Sequence, residues 1–260
     1  MSVTTPADAT APIVFLHIPK TAGQTIHNAL AQVVGETQVS PIRVHTQAPG
    51  DAPQMPPGYS LYSGHLDWSE LETLPESRFV FTVLRDPCER IASFYFFLMK
   101  EAQALSEEDL DLPQHAGKKR LLRCSAEDYF FGGNPGFQRF IHDHYDNFYC
   151  SYFATRKMRG YQQMQALSSA EKVAAAQKNL PLIDRIYSTL DLGALERDIA
   201  DRYGAEISVT ETYVNQGMIE PDEARWPKLL DRLGSDAAAR RLEDFVTADT
   251  DLIEALGLKV

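Results

Sequence analysis

Cysteine, long apolar runs and positive charge are all in short supply in this sequence, and each shortage excludes something. There are only three cysteines, Cys88, Cys124 and Cys150. They are odd in number and far apart, so they fit neither a disulfide framework nor a zinc ribbon and read as reduced core or surface thiols. No stretch approaches the roughly 18 apolar residues of a membrane span; "IASFYFFLM" is too short. The N-terminal "MSVTTPADATAP" has no basic n-region, so no signal peptide is expected and the chain reads as cytoplasmic. Lys+Arg number 25 against 36 Asp+Glu, a net charge of −11. That balance excludes a general nucleic-acid binder or a membrane-surface protein. It leaves room for a small basic pocket.

What is present suits one large α/β domain. The 260 residues are 44% hydrophobic and 23% charged, as in an ordinary globular protein with its own core. Residues 1–11 are expected to be a flexible tail and 12–260 a single domain. "IVFLHI" (13–18), "SLYSGH" (60–65), "RFVFTVL" (78–84) and "IDRIYSTL" (183–190) are strand candidates. Helices are expected over "TAGQTIHNALAQVV", "CERIASFYFFLMKEA", "SAEKVAAAQKNL" and "GALERDIADRYG", the last ended by Gly204. A long C-terminal helix is expected over 236–256. Strands alternating with helices predict a central parallel β-sheet flanked by helices on both faces. Residues 101–165 mix acidic, basic, aromatic and glycine-rich pieces. They are expected to form an irregular insertion with short helices that covers the substrate.

Two segments carry chemistry. "HIPKTAGQT" (17–25) follows a buried strand and opens a helix. It is not a Walker A loop, because Lys20 precedes Gly23. It still suits an anion: the first amides of a helix are unpaired and carry positive dipole. Gly23 allows close approach, Thr21 and Thr25 supply hydroxyls, and Lys20 adds a full charge. The bland alternative is a strand–turn–helix with a surface lysine. In "VLRDPCERIASFYFFL", Arg85 ends a strand and Ser93 follows in the next helix. Ligands of open α/β sheets sit at the carboxyl ends of strands, so Arg85 and Ser93 could hold a second anion. Together the two segments describe a nucleotide with anions at both ends.

In these segments the chain resembles the sulfotransferases that use 3′-phosphoadenosine 5′-phosphosulfate (PAPS). The likeness is closest to the uronyl and heparan 2-O-sulfotransferase branch and its bacterial relatives. "HIPKTAGQT" is similar to that family's 5′-phosphosulfate loop and "VLRDPCERIASFYFFL" to its 3′-phosphate segment. Weaker likeness runs through "YSGHLDW", residues 176–204 and the C-terminal helix. The resemblance implies a P-loop-like sulfotransferase fold. It implies that Lys20 faces the sulfonate-bearing end of PAPS, and that Thr21, Ala22, Gly23, Gln24 and Thr25 hold the 5′-phosphate. Gln24 stands where relatives have a smaller Ser or Thr. Arg85 and Ser93 would hold the 3′-phosphate. His65, in "YSGHLDW", falls where the uronyl branch has its general base, a role that suits a neutral imidazole. Without those neighbours it would read as a turn histidine.

The remaining motifs are weaker. His17 could point to the pocket or pack in the core. His142 and His144 would share a face on a strand, but no third ligand stands at metal-site spacing, and no metal is expected. "GKKRLLR" (117–123) is the one basic run; it could meet an anionic acceptor or cap the 3′-phosphate side, and a solvated loop is the favoured reading. Asp249 is either a buried, paired carboxylate or an edge residue of the C-terminal apolar stripe, and the second is favoured. Thr212 and Asn215 fall where relatives close a loop over the nucleotide. The expected activity is sulfonate transfer from PAPS to an acceptor hydroxyl, leaving 3′-phosphoadenosine 5′-phosphate (PAP). The low positive charge, the acidic "EAQALSEEDLDL" and the aromatic "YDNFYCSYF" favour a small-molecule or short-saccharide acceptor that is weakly charged. A nucleotide binder of the same fold that has lost the reaction, or a small-molecule kinase, remain the alternatives.

Overall fold

The computed structural model describes residues 11–48, 50, 52–210 and 223–260. Its frame is a four-stranded sheet of order β2-β1-β3-β4. The strands are β1 (Ile13–Leu16), β2 (Leu61–Gly64), β3 (Phe79–Leu84) and β4 (Arg185–Ser188). Every pairing is parallel, with Ile13 opposite Leu61 and Phe79, and Phe81 opposite Arg185. Parallel strands need crossovers that cover both faces of the sheet, and so read as continuous apolar runs. β1 and β3 are buried at every position. Their side chains alternate between two cores: Ile13, Phe15, Phe79 and Phe81 enter one, Val14, Leu16, Val80 and Leu84 the other.

Helix α1 (Gly23–Val34) follows β1 and α2 (Pro87–Gln103) follows β3. Pro87 pre-sets the first turn of α2, and Asp86 caps it by accepting from Glu89 N–H at 2.8 Å. The chain between α2 and β4 is almost wholly helical. It forms α3 (Glu107–Leu110), α4 (Ala116–Arg123), α5 (Ala126–Phe131), α6 (Pro135–Tyr145), α7 (Phe148–Thr155), α8 (Tyr161–Met164) and α9 (Ser169–Gln177). After β4 come α10 (Gly193–Tyr203), α11 (Trp226–Leu233), α12 (Asp236–Glu243) and α13 (Thr247–Leu256). Helices α1 and α10 pack on one face of the sheet; α7, α9 and α13 cover the other. A third core joins α2, α4, α5, α6, α11 and α12.

Four expectations change. The aromatic run 145–153 does not face an acceptor: Tyr145, Phe148, Tyr149, Tyr152 and Phe153 are fully buried. The basic run 117–123 is not a loop but helix α4. There Lys118, Lys119 and Arg123 pair with Glu101, Asp111 and Glu107 of the acidic stretch. The C-terminal helix is broken at a 3-10 turn, Asp244–Val246. Asn147 causes the break: its N–H donates to Phe245 C=O at 2.6 Å and its side-chain oxygen accepts from Ala248 N–H at 2.7 Å. Those are backbone groups that a continuous helix would pair internally. Asp249 is buried rather than at a stripe edge, and its carboxylate accepts from Tyr149 N–H (3.0 Å) and Cys150 N–H (2.9 Å). Asn147 and Asp249 thus cap each other's helices.

Candidate active site

The carboxyl ends of β1, β2 and β3 converge on one edge of the sheet. β1 leads through residues 17–22 into α1. Two non-glycine residues of that loop adopt left-handed backbone, Lys20 (φ 74°) and Ala22 (φ 65°). Such conformations cost about 1–3 kcal/mol each and persist where the surroundings over-determine them. No side chain caps α1, and its first turn has no acidic residue, so its first amides face outward with the dipole's positive end. Gly23 is required by a neighbour: a Cβ there would lie 1.6 Å from His17 Nε2. The His17 ring is buried, stacks on Phe15 at 5.3 Å and meets the His65 ring at 4.3 Å.

The loop residues divide by task. Thr21 is fully buried and its hydroxyl donates to Ile18 C=O at 2.9 Å, so that hydroxyl has no proton left for an anion. The expectation of a Thr21 hydroxyl contact is therefore corrected. Gln24 donates along the helix to Asn28 at 2.8 Å. Thr25 is half-buried in the first turn. The Lys20 ammonium rests 3.9 Å from the Phe97 ring centre. Its pKa falls to about 8, first because of burial and next because of the positive charges of Arg85 and Arg225. Three cations thus crowd one place, which suits a bound polyanion. Arg85 follows β3 directly, and its guanidinium meets Glu89 at 3.1 Å. Ser93 lies on the buried side of α2.

His65 stands just past β2. Its Nδ1 lies 2.8 Å from the carbonyl of His17. A carbonyl can only accept, so Nδ1 carries the proton and Nε2 keeps its lone pair. Burial lowers the His65 pKa, and the charges of Arg43 and Lys20 lower it further against the His17 hydrogen bond. The imidazole is therefore neutral at pH 7, with a basic nitrogen. A short edge segment holds it: His65 N–H donates to Arg43 C=O, and His45 N–H to His65 C=O, both at 2.8 Å. Gly64 lets that segment approach, since a Cβ there would sit 2.1 Å from the Arg43 carbonyl. Arg43 also donates to His27 Nε2 at 2.6 Å, which keeps His27 neutral and its pKa near 4, burial being the larger cause.

The structure brings Lys20, His65 and Arg85 to one edge, with Ser93 on the adjoining helix. Sequence reasoning missed Arg225, a lone arginine before α11, and His45, whose two ring nitrogens are shielded from solvent with no hydrogen-bond partner. Neither sits in a motif. Thr212 and Asn215 lie outside the described residues. His142 and His144 lie on α6 rather than a strand, which turns them to opposite sides. His142 pairs with Asp146 at 2.9 Å and His144 bonds Phe140 C=O at 2.8 Å. Among the described residues no three metal-ligating side chains cluster, and no helix is long and apolar enough to cross a membrane. Concave patches beside α4 and α1 contain none of the site residues.

A four-stranded parallel sheet with helices on both faces, and a helix-opening loop at its carboxyl edge, defines a protein of the α/β class. The family model described as "Sulfotransferase family" matches residues 6–204. The chain therefore belongs to the sulfotransferase family. The matched stretch holds the whole sheet, Lys20, His65, Arg85 and Ser93. No curated protein matches the chain.

Proposed function

We propose that this protein transfers the sulfonate of PAPS to an acceptor hydroxyl. The observation that carries the reading is the pairing of a cationic cluster, Lys20 with Arg85 and Arg225, with a histidine fixed in its basic tautomer by the His17 carbonyl. The residues fit the nucleotide: uncapped amides of α1 and Thr25 suit the 5′-phosphate, Lys20 the phosphosulfate, and Arg85 with Ser93 the 3′-phosphate. PAPS supplies an activated sulfonate. The acceptor oxygen bonds to sulfur as the bond from sulfur to the bridging oxygen breaks, and PAP leaves with the electron pair. His65 Nε2 takes the acceptor proton, an effect worth about 10²–10⁴-fold. Lys20 meets the charge that grows on the bridging oxygen, worth about 10²–10³-fold when preorganised.

The uronyl-type relationship and a cytoplasmic location belong to the same reading, as does a small or short-saccharide acceptor of low charge. The acceptor inference now rests on the overall charge of −11 and on the internal pairing of the one basic run. The test is transfer of labelled sulfonate from PAPS to a panel of alcohols, phenols and short sugars. Transfer that requires His65 supports an enzyme. PAP binding with no transfer to any acceptor favours a protein that binds the nucleotide and has lost the reaction. Phosphoryl transfer from ATP favours the kinase alternative.

A further inference from the structure

Helix α7 is buried along its whole core face, yet two of its aromatic residues are tyrosines where phenylalanine would fill the same space. Phe148 and Phe153 on the same helix show that bulk alone is met by phenylalanine. A buried phenol needs a partner for its hydroxyl, and both tyrosines find theirs on the backbone of the site-bearing segments. The Tyr149 hydroxyl accepts from Arg85 N–H at 3.2 Å and donates to Arg85 C=O at 2.8 Å. Arg85 is the single residue between the end of β3 and the cap of α2, so its own amide and carbonyl fall outside the ladder and the helix. One hydroxyl satisfies both. Three residues on, and so on the same side of the helix, the Tyr152 hydroxyl donates to Leu66 C=O at 2.9 Å. Leu66 follows His65 directly.

The helix carrying these hydroxyls is itself pinned at both ends. At its start, Asp249 accepts from Tyr149 N–H and Cys150 N–H. At its end, Arg156 accepts Trp68 N–H at 2.8 Å through its carbonyl, donates to Trp68 C=O and pairs with Glu72. Helix α7 thus spans from the segment after β3 to the segment after β2, and its two hydroxyls touch one backbone each.

We propose that α7 is an alignment element for the site, with Tyr149 positioning Arg85 for the 3′-phosphate and Tyr152 positioning the His65 segment for proton acceptance. The inference rests on the nucleotide reading given above. Without the Tyr149 hydroxyl, the Arg85 peptide is free to turn toward other partners, and the guanidinium turns with it. Glu89 still holds the guanidinium from the side, so charge remains but direction is lost. Without the Tyr152 hydroxyl, the Leu66 peptide loosens and the His65 ring loses its fixed distance to the His17 carbonyl. The two tyrosines therefore act on different halves of the reaction, which a purely structural role for α7 would not produce.

The experiment compares Tyr149→Phe and Tyr152→Phe with the parent by calorimetric titration of PAP and AMP, which differ by the 3′-phosphate. The ¹⁵N imidazole resonances of His65, assigned with His65→Gln, report its tautomer. Tyr149→Phe is expected to weaken PAP by roughly tenfold, the scale of losing a hydrogen-bonded backbone pair, and to leave AMP unchanged. In an Arg85→Ala background it should have no further effect. Tyr152→Phe is expected to leave PAP and AMP affinity unchanged and to move His65 away from the pure Nδ1–H tautomer. Equal losses of PAP and AMP in Tyr149→Phe overturn the proposal, as does an unaltered His65 spectrum in Tyr152→Phe. Should either variant fail to fold, Asp249→Asn tests the same element, since it loosens the start of α7. It should lower PAP affinity more than AMP affinity, and equal losses overturn the proposal. A parent that binds PAP no better than AMP would instead contradict the nucleotide reading itself.

Discussion

On the proposed reading His65 and Lys20 have different tasks, and their substitutions should separate. His65 commits its proton to the His17 carbonyl and, on the proposed reading, serves as a base rather than a nucleotide ligand. His65→Ala should cut turnover by about 10²-fold or more while leaving PAP affinity unchanged. Activity within a few fold of the parent at neutral pH would remove His65 as the base. On the proposed reading, in which its charge meets the phosphosulfate, Lys20→Ala should lower both turnover and PAPS affinity; steady-state kinetics with titration of PAP separates the two. Gly23 makes a structural prediction. A methyl group there collides with the His17 ring, which cannot swing freely because it is stacked against Phe15 and His65. Gly23→Ala should destabilise the protein by about 1–3 kcal/mol and weaken PAP as the loop shifts. Denaturant unfolding with and without PAP checks both. Sequence reasoning picked out Lys20, His65, Arg85 and Ser93 as candidates because each lies in a short motif tied to a strand end. It could not reach the His17 ring's claim on the space above Gly23, since that contact depends on how the loop bends back. The same bend commits the Thr21 hydroxyl to Ile18 C=O and leaves α1 without a side-chain cap.

At the scale of elements, the strands and most helix starts were legible because β-branched and aromatic runs, Asp86-Pro87 and Gly204 mark their limits locally. The C-terminal helix was not. Its apolar spacing is continuous through residue 256, but Asn147, about a hundred residues earlier, takes its backbone groups at 244–248. No local pattern encodes such a break. The aromatic run of α7 failed for a related reason: aromatic residues read alike whether they line a pocket or fill a core. Asp249 makes the element-scale prediction. Burial raises its pKa to about 6 from an ordinary 3.8, against the two amide hydrogen bonds it accepts. The folded protein therefore holds this proton more tightly than the unfolded chain. By linkage, the group's contribution is most favourable below pH 3.8 and is lost as pH rises through 6. Between pH 7 and pH 5 the parent should gain stability relative to Asp249→Asn by on the order of 1 kcal/mol. A pH-independent difference between the two unfolding free energies would show that Asp249 does not titrate in that range.

For the whole molecule, net charge and the internal pairing of charge point the same way. The chain carries −11, and three cations of its one basic run are matched by acids from the neighbouring stretch. Exposed pairs of that kind add little stability, but they neutralise three of the run's four cations and leave Arg120, which donates to Asp128 C=O, as the fourth. A desulfated heparan chain at low salt should be a poorer acceptor than short neutral sugars or small alcohols in the PAPS assay. A strong preference for the long polyanion would overturn the acceptor inference and leave the nucleotide assignment intact. The family match spans the entire sheet, while Arg225 and Asp249 lie beyond it. The groups that tune Arg85 and α7 thus come from a part of the chain the match does not include.

The central claim is that the edge built by Lys20, Arg85 and the first turn of α1 recognises a nucleotide phosphorylated at both its 3′ and 5′ positions. Calorimetric titration of PAP, AMP and ATP into the same preparation, with Arg85→Ala beside it, tests that claim most directly. The account predicts that PAP binds at least tenfold more tightly than AMP or ATP, a gap of about 1.4 kcal/mol or more, and that Arg85→Ala erases the difference between PAP and AMP. ATP binding as tightly as PAP, or a PAP preference that survives the loss of Arg85, would contradict it.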